Sequence, residues 1–101
     1  MDYFNEVYKK IDINSRDEEG NTFLILSVKS GNNRISKMLL EKGANTNIQN
    51  YEGNAALHFA LSRKNFEMAD LLKVYGAKED LTNKKGYNPW ECVGKSIEGV
   101  D

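Results

Sequence analysis

A chain of 101 residues with 40% hydrophobic and 29% charged side chains has room for one domain and the composition of a folded globular protein rather than a disordered one. A net charge near −1 lacks the basic footprint of general nucleic-acid binding, and the longest apolar runs, such as Phe23 to Leu26, fall far short of a membrane span. The opening Met1-Asp2-Tyr3-Phe4 has neither the basic start nor the apolar core of a secretory signal, and the lone Cys92 cannot form an internal disulfide. These features lead us to expect an intracellular, cytoplasmic protein with no nucleic-acid partner and no membrane insertion. Twelve Asn and eleven Lys against three Arg suggest an AT-rich coding sequence and bear on no function.

In chain order, Tyr3, Phe4, Val7, Tyr8 and Ile11 fall on one side of a predicted helix over residues 2–11, with Lys9 and Lys10 near the end where the helix dipole favours cations. Asp17-Glu18-Glu19-Gly20 is a tight turn, with an Asx-type residue three before a Gly that supplies positive φ. Thr22 is placed to cap a helix through Val28, which Gly31 and Asn32 interrupt. A second helix over residues 34–42 is expected to bury Ile35, Met38 and Leu39, and Gly43 ends it. The plan then recurs: a turn at 50–53, a helix over 55–61, a helix over 67–75 burying Met68, Leu71 and Leu72, and Gly76. Lys64 stands where Gly31 stood, and a non-Gly residue held at positive φ there costs about 1 kcal/mol. A third start, Asn83-Lys84-Lys85-Gly86, leads into Asn88-Pro89-Trp90-Glu91-Cys92-Val93, with Pro89 suited to a first helical position.

The recurrence has a period of thirty-three. Gly53, Asn54, Leu57, Asn65, Leu72, Gly76 and Ala77 repeat Gly20, Asn21, Leu24, Asn32, Leu39, Gly43 and Ala44, and Gly86 continues the series. Leu57-His58-Phe59-Ala60 and Leu39-Leu40-Glu41-Lys42-Gly43-Ala44-Asn45 resemble the ankyrin repeat family over about residues 12–93. Phe23 and Ala56 stand where that pattern has Pro, and Ile25 and Glu91 where it has His. Eight of thirty-three positions are identical between the two full repeats, which fits a diverged natural array. The resemblance implies an all-α ankyrin-repeat solenoid of helix-turn-helix units with short β-hairpin-like fingers. One domain over 1–101 divides into an N-terminal cap or half repeat (1–16), repeat 1 (17–49), repeat 2 (50–82) and a partial repeat or C-terminal cap (83–101). Its implied activity is binding another protein, as a monomer or a subunit of a hetero-complex. The alternative is a structural subunit or excised domain packed through its C-terminal edge.

Catalysis finds no support in these residues. His58 is the sole histidine, with no Cys or second His at metal-ligand spacing, so a hydrogen-bonding role inside the repeat is expected and no metal or cofactor. Cys92 takes a first-helix slot that predicts a small packed residue. Trp90 takes the slot of Leu24 and Leu57 and is expected in the core, and Phe66 is expected to pack between repeats. Carried residue by residue from the family pattern, the partner surface comprises Glu18, Glu19, Asn21, Lys29 and Ser30, then Tyr51, Glu52, Asn54, Ser62 and Arg63, and finally Lys84, Lys85 and Tyr87. Along it the finger tips pass from acidic (Asp17, Glu18, Glu19) through mixed (Tyr51, Glu52) to basic (Lys84, Lys85).

Overall fold

The computed structural model describes residues 12–98, and the helix expected over residues 2–11 lies outside them. Within this span the order is α1 (Phe23–Lys29), α2 (Asn33–Glu41), α3 (Ala56–Ser62), α4 (Phe66–Val74) and a single 3-10 turn, η1 (Pro89–Cys92), with no strand among the described residues. The helices are seven or nine residues long, too short to persist alone in water, so their stability must come from stacking. Local chemistry sets each start. Thr22 Oγ1 accepts the Ile25 N–H, and the Asn32, Asn65 and Asn88 side chains accept those of Ile35, Met68 and Glu91. Lys64 is the one non-Gly residue at positive φ among the described residues (+59°), as the sequence predicts for the slot of Gly31.

α1 packs on α2 and α3 on α4, burying Leu24, Ile25, Val28, Leu57, Leu61, Met68 and Leu72 in one continuous core. The crossing point of each pair is small. Ser27 and Ser36 hydroxyls meet at 2.6 Å between α1 and α2, and thirty-three residues later Ala60 and Ala69 occupy the same two buried places. The first helices, α1 and α3, approach one another more closely than α2 and α4 do, which curves the stack with the first helices inside.

Three fingers are built identically. The Gly N–H of the turn donates to the carbonyl of the residue three before it: Gly20 to Asp17, Gly53 to Asn50 and Gly86 to Asn83. The first residue's own N–H donates to the carbonyl four later, at Asn21, Asn54 and Tyr87. Its side-chain oxygen accepts two more backbone N–H groups, those of residues 19 and 21, 52 and 54, and 85 and 87. One backbone bond joins each finger to the next, from the Tyr51 N–H to the Glu19 carbonyl and from the Lys84 N–H to that of Glu52, both at 3.0 Å.

Three packing expectations are corrected. Ile35 and Met38 are exposed, whereas Leu39 is half-buried and packs against the core; α2 also buries Ser36 and Leu40. The corresponding residues of α4, Met68, Leu71 and Leu72, do pack against the core. Among the described helices α4 has a preceding second helix, α2, to pack on, whereas α2 has none. Trp90 is 44% exposed, because the one-turn η1 leaves its ring on the surface, where Nε1 donates to Glu79 at 2.7 Å and Lys73 Nζ lies 5.1 Å above it. Phe66 is exposed at the start of α4 rather than packed between repeats.

Two outcomes follow from this geometry. A Cβ on Gly53 would sit 2.7 Å from the Asn83 Cα, whereas one on Gly86, at nearly the same φ (+85° against +83°), meets nothing within 4 Å. Gly86→Ala is therefore expected to cost only the left-handed penalty of about 1–2 kcal/mol, and Gly53→Ala clearly more, in urea unfolding. In the Ser27–Ser36 pair, either single Ala variant should destabilise by about 1 kcal/mol, while the double variant, which recreates the Ala60–Ala69 contact, should recover most of that loss.

Candidate docking face

The exposed side of the array is built from the finger tips and the inner helices. Glu18, Glu19, Tyr51, Glu52, Lys84 and Lys85 are exposed on the tips, with Tyr51 the most open of the finger aromatics at 55%. Because each finger is fixed to its neighbour by a backbone bond, the acidic, mixed and basic tips stand in a row. Ser30 and Arg63 are exposed at the ends of α1 and α3, and Lys29 and Ser62 are half-buried beside them. A cleft of about 460 Å³ opens among Glu18, Lys29, Tyr51, Asn54, Phe59 and Ile97.

Asn21 and Asn54 sit lower, each 2% exposed. Asn21 Oδ1 accepts from Asn50 Nδ2 and Asn54 Oδ1 from Asn83 Nδ2, both at 2.8 Å, so these side chains are used between consecutive fingers. Tyr87 is half-buried against the core, with Lys95 Nζ 4.4 Å above its ring, so it is less open than the sequence suggests for a finger tip.

Amide side chains carry much of the remaining connection between units. Asn14 Oδ1 accepts the Asn45 N–H and Asn47 Oδ1 that of Lys78, a bond repeated thirty-three residues on. Asn65 Nδ2 donates to Asn33, Asn47 Nδ2 to the Gly76 carbonyl, and Gln49 Nε2 to the carbonyls of both Gly53 and Thr82. Every Asn side chain among the described residues except that of Asn45, which accepts the Asn47 N–H locally, makes such a bond or caps a helix, although in composition alone the Asn excess reads only as codon bias. No buried side-chain nitrogen or oxygen among the described residues lacks a partner.

The residues weighed for chemistry have structural surroundings. His58 Nδ1 accepts the Ala55 N–H at 3.0 Å, which fixes the proton on Nε2 and directs it at the Tyr87 carbonyl, 3.2 Å away. Glu91 performs the same service thirty-three residues later, accepting the Asn88 N–H. Burial holds the imidazole below its ordinary pKa, against the opposing pull of the Tyr87 and Leu81 carbonyls. Cys92 is fully buried, its thiol pushed up chiefly by burial, and donates to the Asn88 carbonyl. Among the described residues no three His, Cys, Asp or Glu side chains come together as a metal-binding group, and no helix is long and apolar enough to cross a membrane.

A family model described as ankyrin repeats, in three copies, matches residues 3–85. The chain belongs to the ankyrin repeat family. It is 43% identical over 94 residues to putative ankyrin repeat protein L92 of Acanthamoeba polyphaga mimivirus, covering 92% of this chain and 23% of that protein. It is also 41% identical over 91 residues to a putative ankyrin repeat protein of Rickettsia felis, covering 81% and 40% respectively. The ankyrin repeat domain of Bcl-3, a member of the IkappaB protein family, superposes with a TM-score of 0.80 at 31% identity, over 86% of this ankyrin chain and 39% of that one. The chain thus spans less than half the length of these relatives. The all-α repeat fold implied by the sequence resemblance is the observed one.

The His58 geometry sets a pH dependence for this ankyrin array. Its folded pKa is depressed, so the unfolded chain takes up the proton first. The contribution of His58 is therefore intact above the unfolded value of about 6.5 and is lost as the pH falls below it. Urea unfolding between about pH 7.5 and pH 5.5 should show stability declining in the parent and a shallower decline in His58→Gln, whose amide oxygen can still accept the Ala55 N–H.

Proposed function

We propose that this ankyrin array is a protein-binding module whose partner docks across the finger tips and the inner face of the first helices. The observation that carries the reading is the row of fingers held at fixed spacing by backbone bonds. It presents the open Tyr51 ring between an acidic tip and a basic one. Segregated charge of this kind steers encounter and sets orientation, while a tyrosine supplies contact area at low entropic cost. Lys84 and Lys85 are in no ion pair among the described residues and are available to an acidic patch. Glu18, Glu19, Glu52, Lys29, Ser30, Ser62 and Arg63 complete the surface, with Asn21 and Asn54 acting beneath it.

A second reading rests on the apolar surface away from the fingers. Val74, Tyr75 and Trp90 are each exposed, and a neighbouring subunit or further repeat stacked there would cover them. The two readings separate in one experiment. Tyr51→Ala and the pair Lys84→Glu with Lys85→Glu should reduce capture of a specific protein from a lysate of the native source at an unchanged melting temperature, while Trp90→Ala leaves capture intact. The pattern reversed, with Trp90→Ala alone abolishing capture, would assign docking to the edge.

A further inference from the structure

After η1 the chain turns back across the inner face, so that part of the proposed docking surface is already covered by the protein itself. The Gly94 N–H donates to the Leu61 carbonyl at 3.3 Å as the turn begins. From there the Ser62 hydroxyl donates to the carbonyl of Lys95, and Asn54 Nδ2 donates to that of Ile97 at 3.4 Å. Two carbonyls two residues apart are thus held by side chains of α3 and of the finger beside it, so this segment is gripped by its main chain.

Two side chains add selectivity to that main-chain grip. Ile97 is 3% exposed although its neighbours Lys95, Ser96 and Glu98 are exposed, and it joins the core cluster that includes Phe59. Glu98 pairs with Lys29, whose ammonium also lies 5.7 Å from the centre of the Phe59 ring. Phe59 is 3% exposed, whereas Leu26, its counterpart thirty-three residues earlier on α1, is 37% exposed. The slot is open on one unit and covered on the next, where Lys29, Ile97 and Glu98 surround it.

We infer that this groove is a binding site for an extended peptide segment of a partner protein carrying an aliphatic residue followed directly by an acidic one, and that residues 94–98 occupy it as an internal ligand. The inference rests on the protein-binding reading above and names the chemistry of the partner. Ser62 and Asn54 donate to the carbonyls of any main chain, Phe59 selects the aliphatic side chain, and Lys29 selects the carboxylate. The internal segment is a weak competitor in contacts but a strong one in concentration, since a short tether holds it at an effective concentration on the order of millimolar. A partner must displace it or exceed that concentration.

The test uses the full chain and the acetylated, amidated peptide Gly-Lys-Ser-Ile-Glu-Gly as the probe, followed by two-dimensional NMR, which also reports whether each variant is folded. In Ile97→Asp with Glu98→Lys the internal segment no longer fits. The peptide should then shift resonances around Phe59 and Lys29 with an apparent Kd at least tenfold below that of the parent. A peptide with Asp and Lys at the Ile and Glu positions should lose that advantage. Should the double variant fail to fold, Glu98→Lys alone leaves Ile97 seated and should still bind the native peptide at least threefold better than the parent, with Lys29→Glu reversing the gain. Equal binding to parent and variants, or no binding to a folded opened variant, overturns the inference. Peptide binding together with lysate capture indifferent to the finger variants would instead retain the groove and reject the finger row.

Discussion

The array depends on side-chain amides that reach from one unit to the next. Its helices are too short to be stable singly, and the apolar core is continuous only while the units keep one spacing. Two buried amide bonds of the same length, Asn21 to Asn50 and Asn54 to Asn83, set that spacing beneath the fingers. A buried amide left without its partner costs about 1–3 kcal/mol, so a slipped or splayed register is penalised at every junction. The second set, from Asn14 to residue 45 and from Asn47 to residue 78, repeats the constraint in the segments that lead into the fingers. Hydrophobic stacking supplies most of the stability; the amides decide which stacked arrangement it stabilises.

The proposed function rests on that fixed spacing. Fingers joined by single backbone bonds cannot rearrange independently, so their charges present a row whose order is set by the chain. The inner helices below form the groove across which residues 94–98 run, held by the Ser62 and Asn54 side chains donating to main-chain carbonyls. Asn54 joins the two layers: its oxygen takes the Asn83 amide while its nitrogen holds the Ile97 carbonyl. Occupation of the groove and alignment of the third finger are thereby coupled through one side chain.

The period of thirty-three, the turn residues and the caps made the fold readable, and each of the four described α-helices lies within one residue of its expected bounds. Two of the packing failures share one cause. Slot equivalence predicts a residue's direction but not what stands opposite, so Ile35 and Met38 were expected to be buried like Met68 and Leu71, and Trp90 like Leu57. The finger row was equally legible, since its residues lie at fixed offsets from the turn glycines. The burial of Asn21 and Asn54 was not, because an Asn between a turn and a cap reads the same whether it faces water or a neighbouring amide. Nor was the path of residues 94–98, whose Gly, polar and charged residues carry no periodicity; the isolated Ile97 among them was the only signal.

Native-state hydrogen exchange of the full chain at the Tyr51 and Lys84 amides tests this account most directly, because these are the two N–H groups that join consecutive fingers. If spacing is held as described, both should exchange only through the opening that exposes the core amides of α3, with matching protection and matching denaturant dependence. Exchange of either amide at the rate of the exposed turn residue Glu18, with α3 still protected, would show that the fingers move independently and contradict the account.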